Sequence, residues 1–313
     1  MSGAARRIAA IDIGTVTTRL LVADVAENSV AELYRSTDIT HLGEGLADTG
    51  RLSRVAMDRV ADVLAGYLDA IGEYGASQVS AVATSASRDA ENAEEFLGRL
   101  ESVGVVPRII AGDTEARLSF LGATHGLEGS GLLVDDIGGG STELIVGDVS
   151  AGVRTLRHAR SIDVGSRRIT ARFLCDDPPT PRQLAEAREH VSDRLGAFLD
   201  PIAGEVRTVV SVAGTATSLV SMDLALDTYD SRLVHGFRLS HAAIGERLAA
   251  MARMTVAERR EIVGLHPGRA GVIVAGALIL DVLLDLVGKD STVVSEHDIL
   301  YGILLDTYGN TDG

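Results

Sequence analysis

Two short apolar runs near the start of the chain are separated by a Gly-Thr break. They predict strands at 8–12 and 18–25, paired around the turn Gly14–Thr17. From 53 to 74 the apolar positions take up a helical period. Val60, Val63, Leu64, Tyr67, Leu68 and Ile71 share one face, Ser53 is placed to cap the helix, and Gly75 to end it. A third short strand is predicted near 29–36. A strand at 78–84, a helix at 90–101, a strand at 106–112 and a helix opening near Asp113–Glu115 complete the first half.

The Gly-rich stretch Gly126–Gly131 suits a hinge. Beyond it the pattern predicts strands at 132–136, 142–148 and 152–162, then a helix near 164–174. Thr180-Pro181 supplies a cap and a first-position proline for a helix reaching Leu199. A strand at 206–214 runs straight into a helix. Ser240 caps another, and Thr255 with Glu258 forms a capping box for the next. The run 268–287 is strongly apolar but carries Asp281 and Asp285, so it reads as a buried helix rather than a membrane span. A strand at 292–295 and a final helix at 297–308 close the chain. Strands and helices alternate in this way in α/β proteins.

One stretch occurs twice. Residues 12–25 read DIGTVTTRLLVADV and residues 136–149 read DIGGGSTELIVGDV, an offset of 124 residues, and each follows an apolar run. This is the mark of duplicated halves. Glycine lets the backbone turn sharply, and successive N–H groups in such a turn make a concavity for anions, to which Ser and Thr hydroxyls add donors. The Asp before each turn can hold a hard cation such as Mg²⁺. The phosphate-facing candidates are therefore Thr15, Thr17, Gly138, Gly139, Gly140 and Ser141, and the carboxylates are Asp12, Asp136 and Glu143. Where the first copy has Arg19, the second has Glu143.

Three other joints attract attention. Thr84-Ser85-Ala86-Ser87-Arg88-Asp89 follows a strand and precedes a helix, a place that favours anions and equally one for an ordinary cap. Glu115 lies in a first helical turn, where the dipole favours its ionised form. Such a Glu could be a general base toward water, although taken alone a capping charge is the commoner role. Ala213-Gly214-Thr215 is a further strand–Gly–helix joint suited to phosphate. Arg168, Arg260 and Arg269 are further cations, and the histidines show no metal spacing. P-loop, dinucleotide-binding, G-x-S-x-G and H-E-x-x-H motifs are absent.

Composition narrows the classes. The 313 residues are 46% hydrophobic and 23% charged, with ample core for two domains. A net charge of −15 removes a bulk field for nucleic acid, so any polyanion must be held by local Arg groups. Lys289 is the only lysine and Cys175 the only cysteine, which excludes a disulfide framework. No secretory signal is seen and a cytoplasmic location is expected, with no nucleic acid or membrane partner.

Taken together, AAIDIGTVTTRLLV, ATSASRDAEN, GDTEARL, LLVDDIGGGSTELIV, SVAGTATSL, VHGFRLS, ERREIVGLHPGRA and SEHDILYG resemble the exopolyphosphatase / guanosine pentaphosphate phosphatase (Ppx/GppA) family, in family order over about residues 8–302. The resemblance implies an α/β fold of two ribonuclease-H-like domains, of the actin-like, sugar kinase and Hsp70 ATPase type, with the active site in the interdomain cleft. The domains are expected at 1–125 plus 299–313 and at 126–298, in a short single-module form. The resemblance also implies metal-dependent release of terminal orthophosphate from inorganic polyphosphate. A preference for short chains is expected from the net charge of −15 and from the lack of the extra C-terminal region that long members carry. Alternatives are hydrolysis of guanosine pentaphosphate, in the stringent response, or a weakly catalytic sensor of guanosine penta/tetraphosphate or polyphosphate. Glu115 matches the catalytic glutamate. Asp136 and Glu143, with Asp12, match the acidic residues tied to Mg²⁺ or Mn²⁺. Thr15, Thr17, Arg19, Thr84, Ser85, Arg88, Gly138 to Ser141, Gly214, Thr215 and Arg269 fall at substrate-binding positions. Two departures stand out: Val16 where the family's first turn has Asn, and Gly271 where Asp is usual after Arg269-Ala270. Homodimerisation is left open.

Overall fold

Some strands end at glycine turns, as at Gly14 and Gly138, and some helices begin at a side-chain cap, as at Ser53, Thr180, Ser240 and Thr255. The structure is a computed structural model describing residues 4–27 and 29–309, so residues 1–3 and 310–313 of the expected first domain lie outside the described residues. Two compact units are formed, residues 1–125 with 298–313 and residues 126–297.

In the first unit β1 (Arg6–Ile13), β2 (Thr17–Ala26) and β3 (Ser29–Ile39) make an antiparallel meander. A short α1 (Leu46–Thr49) precedes the long α2 (Arg54–Tyr74), and Ser53 caps α2 as its sequence predicts. Then come β4 (Gln78–Ala83), α3 (Ser85–Asp89), α4 (Ala93–Ser102), β5 (Arg108–Ile109) and α5 (Gly112–Ala123). The sheet order is β3-β2-β1-β4-β5, with β4 and β5 parallel to β1.

In the second unit β6 (Gly129–Ile137), β7 (Thr142–Ser150) and β8 (Val153–Ile162) repeat the meander. They are followed by α6 (Ser166–Phe173), α7 (Pro181–Leu199), β9 (Thr208–Val212), α8 (Ala213–Asp223), α9 (Ser231–Val234), β10 (Arg238–Ser240), α10 (His241–Met251), α11 (Val256–Arg259), α12 (Ile273–Val287) and β11 (Ser291–Val294). The order β10-β11-β9-β6-β7-β8 contains the first sheet's pattern with one strand added. The final α13 (Ile299–Gly309) packs on the first sheet with α5.

The duplication holds to the residue. Asp12 pairs with Arg19 across β1–β2, and Asp136 with Glu143 across β6–β7. Even the register shift recurs, between Val22 and Ala23 in one sheet and between Val146 and Gly147 in the other, again 124 residues apart.

Each sheet carries helices that bury it. Met57, Val60, Leu64, Phe96 and Leu100 cover one face of the first sheet; Leu118, Ile299, Leu300 and Ile303 cover the other over Ile8, Ala10 and Leu21. The α5–α13 crossing is close because Gly122 and Gly302 face it: a Cβ at either would overlap the backbone of Asp298 or Leu118. In the second unit Val191, Leu195, Leu219, Leu280 and Leu283 belong to one core. Truncating a fully buried leucine such as Leu64 or Leu280 to alanine removes about 2–5 kcal/mol.

Some elements differ from the sequence expectation. The strand expected at 106–112 shrinks to Arg108–Ile109, since Pro107 offers no N–H and α5 already starts at Gly112. The strand expected at 206–214 stops at Val212 because Ala213 turns left-handed, at φ 63°. The helix expected from 268 begins at Ile273, after a 3-10 turn at Pro267–Arg269. Among the described residues no helix is long and apolar enough to cross a membrane.

Candidate active site

Parallel β1, β4 and β5 bring three strand-to-loop joints to one sheet edge, the edge at which α/β sheets bind ligands. At the first joint the Gly14 N–H donates to the Thr17 carbonyl at 2.9 Å. The loop at 40–43 fastens the turn from behind: Thr40 and His41 N–H reach the Val16 carbonyl, and Gly43 N–H the Thr15 carbonyl. Val16 is buried, so the residue that departs from the family pattern serves packing here.

Asp12, 4% exposed, ends β1. Its Oδ2 accepts from Arg19 Nε at 3.0 Å and Nη2 at 2.6 Å, while its Oδ1 is a buried oxygen with no hydrogen-bond partner. Arg19 also pairs through Nη1 with Asp298, whose Oδ1 caps α13 by accepting the Leu300 N–H. Burial pushes the Asp12 carboxyl above its ordinary range, Arg19 pulls it back, and Asp298 adds to the rise. Arg19, expected at a substrate-binding position, thus bridges two carboxylates. Asp298 lies within SEHDILYG, and its partner 279 residues away leaves no local signal in the sequence.

At the second joint Thr84 and Ser85 are buried where β4 passes into α3, and Thr84 N–H donates to Ile13 O at 3.2 Å. Arg88 of α3 donates through Nη1 to Ile110 O at 3.0 Å and to Glu115 Oε2 at 2.5 Å. Glu115, 8% exposed, sits in the first turn of α5. Arg88 and the helix N-terminus both stabilise its ionised form and fix its rotamer. The structure therefore brings together two residues whose motifs lie 27 apart in sequence.

In the second unit the turn Gly138–Ser141 closes with Gly138 N–H donating to Ser141 O at 3.0 Å. The start of α6 holds its carbonyls: Ser166 N–H bonds Gly138 O, Arg167 and Arg168 N–H bond Gly139 O, and Arg168 Nε bonds Gly140 O at 2.8 Å. A planar trans peptide directs its N–H opposite to its C=O. With three carbonyls turned into α6, the N–H groups of Gly139, Gly140 and Ser141 face the other way, as an anion nest requires. Asp136 and Glu143 are both buried at the root of this turn, and Glu143 Oε1 accepts from Ser161 Oγ at 2.6 Å. Ser161 faces Glu143 across β7–β8, a neighbour visible only once strand register is known.

The joint after β9 lies beside this turn, since Asp136 pairs with Val212. A Cβ on Gly214 would overlap the Arg269 guanidinium, so glycine is what lets that cation lie over the start of α8. Thr215 is buried next to it. His266 caps the turn bearing Arg269, its Nδ1 accepting the Gly268 N–H at 3.1 Å. Burial, with the neighbouring Arg269 charge, holds the His266 imidazole below its usual range, in keeping with an acceptor nitrogen.

A carboxylate clamped at a helix start, an N–H-lined glycine turn and a buried acidic pair, set on a duplicated α/β scaffold, define a phosphate-handling protein. Comparison narrows the class. The chain matches the Ppx/GppA phosphatase family over residues 21–310 and belongs to that family of hydrolases. It is 37% identical over 320 residues to Exopolyphosphatase 2 of Mycobacterium tuberculosis, covering 97% of this chain and 99% of that one. A crystal structure of an exopolyphosphatase-like protein superposes with a TM-score of 0.93 at 37% identity, covering 99% of this chain and 100% of the other. The crystal structure of the Aquifex aeolicus Ppx/GppA family member superposes at 0.82 with 31% identity, covering 99% of each chain.

Proposed function

We propose that the protein is a cytoplasmic exopolyphosphatase that hydrolyses the terminal phosphoanhydride of inorganic polyphosphate. The observation carrying this reading is Glu115, a buried carboxylate at a helix start held by Arg88, and we read it as the base that takes a proton from water. The water oxygen bonds to the terminal phosphorus, its proton passes to Glu115, and the bridging P–O bond breaks to leave a shortened chain. In the second unit the N–H groups of Gly139, Gly140 and Ser141 would bind phosphoryl oxygens, with Thr215 and Arg269 as further contacts; in the first, the Thr15–Thr17 turn offers donors of its own. The donor set suits a hard divalent ion: Asp136 and Glu143 would hold Mg²⁺ or Mn²⁺, and Asp12 keeps one buried oxygen without a partner. When bound, such an ion would neutralise phosphate charge.

We take the net charge of −15 to favour short chains, because bulk negative charge opposes each phosphate that comes within a Debye length, about 8 Å, of it. Efficiency measured on polyphosphates of defined length should therefore level off early.

The deciding experiment measures phosphate release from polyphosphate and from guanosine pentaphosphate side by side, with wild type and Glu115→Gln. The variant should bind substrate as wild type does and lose about 10²–10⁴-fold in kcat. Unchanged turnover in Glu115→Gln would remove Glu115 from the mechanism. Faster release from guanosine pentaphosphate would reassign the substrate, and binding without release by wild type would make the protein a sensor.

A further inference from the structure

Away from these turns, α12 carries two carboxylates on an otherwise apolar helix. Asp281 and Asp285 lie one turn apart, and Asp285 stands in the last turn of α12, where the dipole opposes negative charge. Two neighbours face them, and they divide the carboxylate oxygens between them. Arg188 of α7 takes the Oδ2 atoms, pairing with Asp281 Oδ2 and reaching Asp285 Oδ2 at 3.2 Å. His241, the first residue of α10, takes the Oδ1 atoms, its Nε2 lying 3.0 Å from Asp281 Oδ1 and 3.7 Å from Asp285 Oδ1.

The ligand-capable atoms of His241, Asp281 and Asp285 all lie within 4.8 Å of one another. Zinc bonds of about 2.0–2.1 Å at tetrahedral angles set ligand atoms about 3.4 Å apart, between the two separations seen here. Gly245 stands one turn beyond His241, inside α10, and its missing Cβ would come to 3.6 Å from Asp281 Oδ1. An alanine there would make only ordinary van der Waals contact with that oxygen, so α10 passes close beside the carboxylate.

We propose that His241 Nε2, Asp281 Oδ1 and Asp285 Oδ1 form a binding site for a divalent first-row transition ion of the zinc class. The site is separate from the phosphate-handling turns and does not depend on the proposed reaction. Arg188 stays in place as the outer partner that aims both carboxylates, the role such partners play around metal ligands. Two carboxylates outnumber one guanidinium, so negative charge remains for the ion to neutralise. The fourth position is left to water. The bound ion ties α10 to α12 at the edge of the second unit's core.

The test uses the full chain, stripped with a chelator and dialysed, then titrated with Zn²⁺ by calorimetry and with Co²⁺ by its visible absorption. Wild type should bind one ion per chain at this site, give a tetrahedral Co²⁺ spectrum and gain a few degrees in melting temperature with Zn²⁺. His241→Ala and Asp285→Asn should each weaken that binding at least tenfold and remove the thermal gain. Both side chains are partly exposed, so both variants should fold, which circular dichroism verifies. Glu143→Gln, which alters the phosphate-handling turn, should keep the ion. Absence of Zn²⁺ binding in wild type, or binding unchanged in His241→Ala, or binding lost in Glu143→Gln alone, would each overturn the proposal and leave a hydrogen-bonded staple without metal.

Discussion

The β1–β2 and β6–β7 turns share length, register and the same closing hydrogen bond, yet they carry opposite electrostatics. In the first, Arg19 stands across from Asp12 and joins it to Asp298. In the second, the same position holds Glu143, so a second carboxylate stands across from Asp136 and takes a hydroxyl donor from Ser161. One strand position inward the contrast returns: the first half has Ile11, the second the fully buried Asp135. A duplicated backbone thus supplies two copies of one glycine turn, while a few side-chain exchanges assign them different charge. In the first, one guanidinium partly offsets two carboxylates; in the second, Asp136 and Glu143 face each other across the strands with no guanidinium at the position of Arg19.

The contrast is most directly broken by making the second turn resemble the first. Glu143→Arg should reduce metal-dependent phosphate release to background, and the isosteric Glu143→Gln should move the same way; metal titration of activity checks both. The converse change acts on stability. Arg19→Ala leaves Asp12 and Asp298 buried without their shared cation, and should destabilise the protein by about 3–5 kcal/mol in urea unfolding.

Asp135 offers a sharper test. Burial pushes its carboxyl up to about 8, against the hydrogen bond from Ser211. An unfolded Asp loses its proton near pH 3.9. Between that pH and about 8 the folded chain therefore holds the extra proton, and stability falls as pH rises, by about 1.4 kcal/mol per pH unit for this group. Below that window the contribution is fully present, and above about 8 it is lost. Asp135→Asn, or Asp135→Ile to copy the first half, should flatten the dependence of the urea midpoint between pH 5 and 8. The smallest effect is expected at Gly214. Gly214→Ala must push Arg269 aside, and should raise KM about tenfold, equivalent to about 1.4 kcal/mol, with little change in kcat.

Much of the scaffold was legible because its determinants are local. Ser53, Thr180, Ser240 and Thr255 each accept a backbone N–H three residues on, as their sequence contexts predict. The twin Asp-Ile-Gly turns declared the duplication, and Glu115 could be assigned to a helix start from Gly112-Asp113 before it. Local patterns also misled: β5 is shorter than its apolar run, because Pro107 and the early start of α5 outweigh strand propensity.

What the amino-acid order determined by itself was most of the longer elements, the caps at Ser53, Thr180, Ser240 and Thr255 and the glycine turns, all interactions spanning a few residues; the short α1, α9 and β10 were not expected. Only the tertiary structure decided who stands opposite whom. Arg19 finds Asp298 across 279 residues, Arg88 finds Glu115 across 27, and Arg269 settles over Gly214. His241 meets Asp281 and Asp285 although forty residues of chain separate it from the nearer one. Such partners are chosen by strand order and helix packing, where burial forbids an unpaired charge and so selects its counterion from whatever the fold brings near.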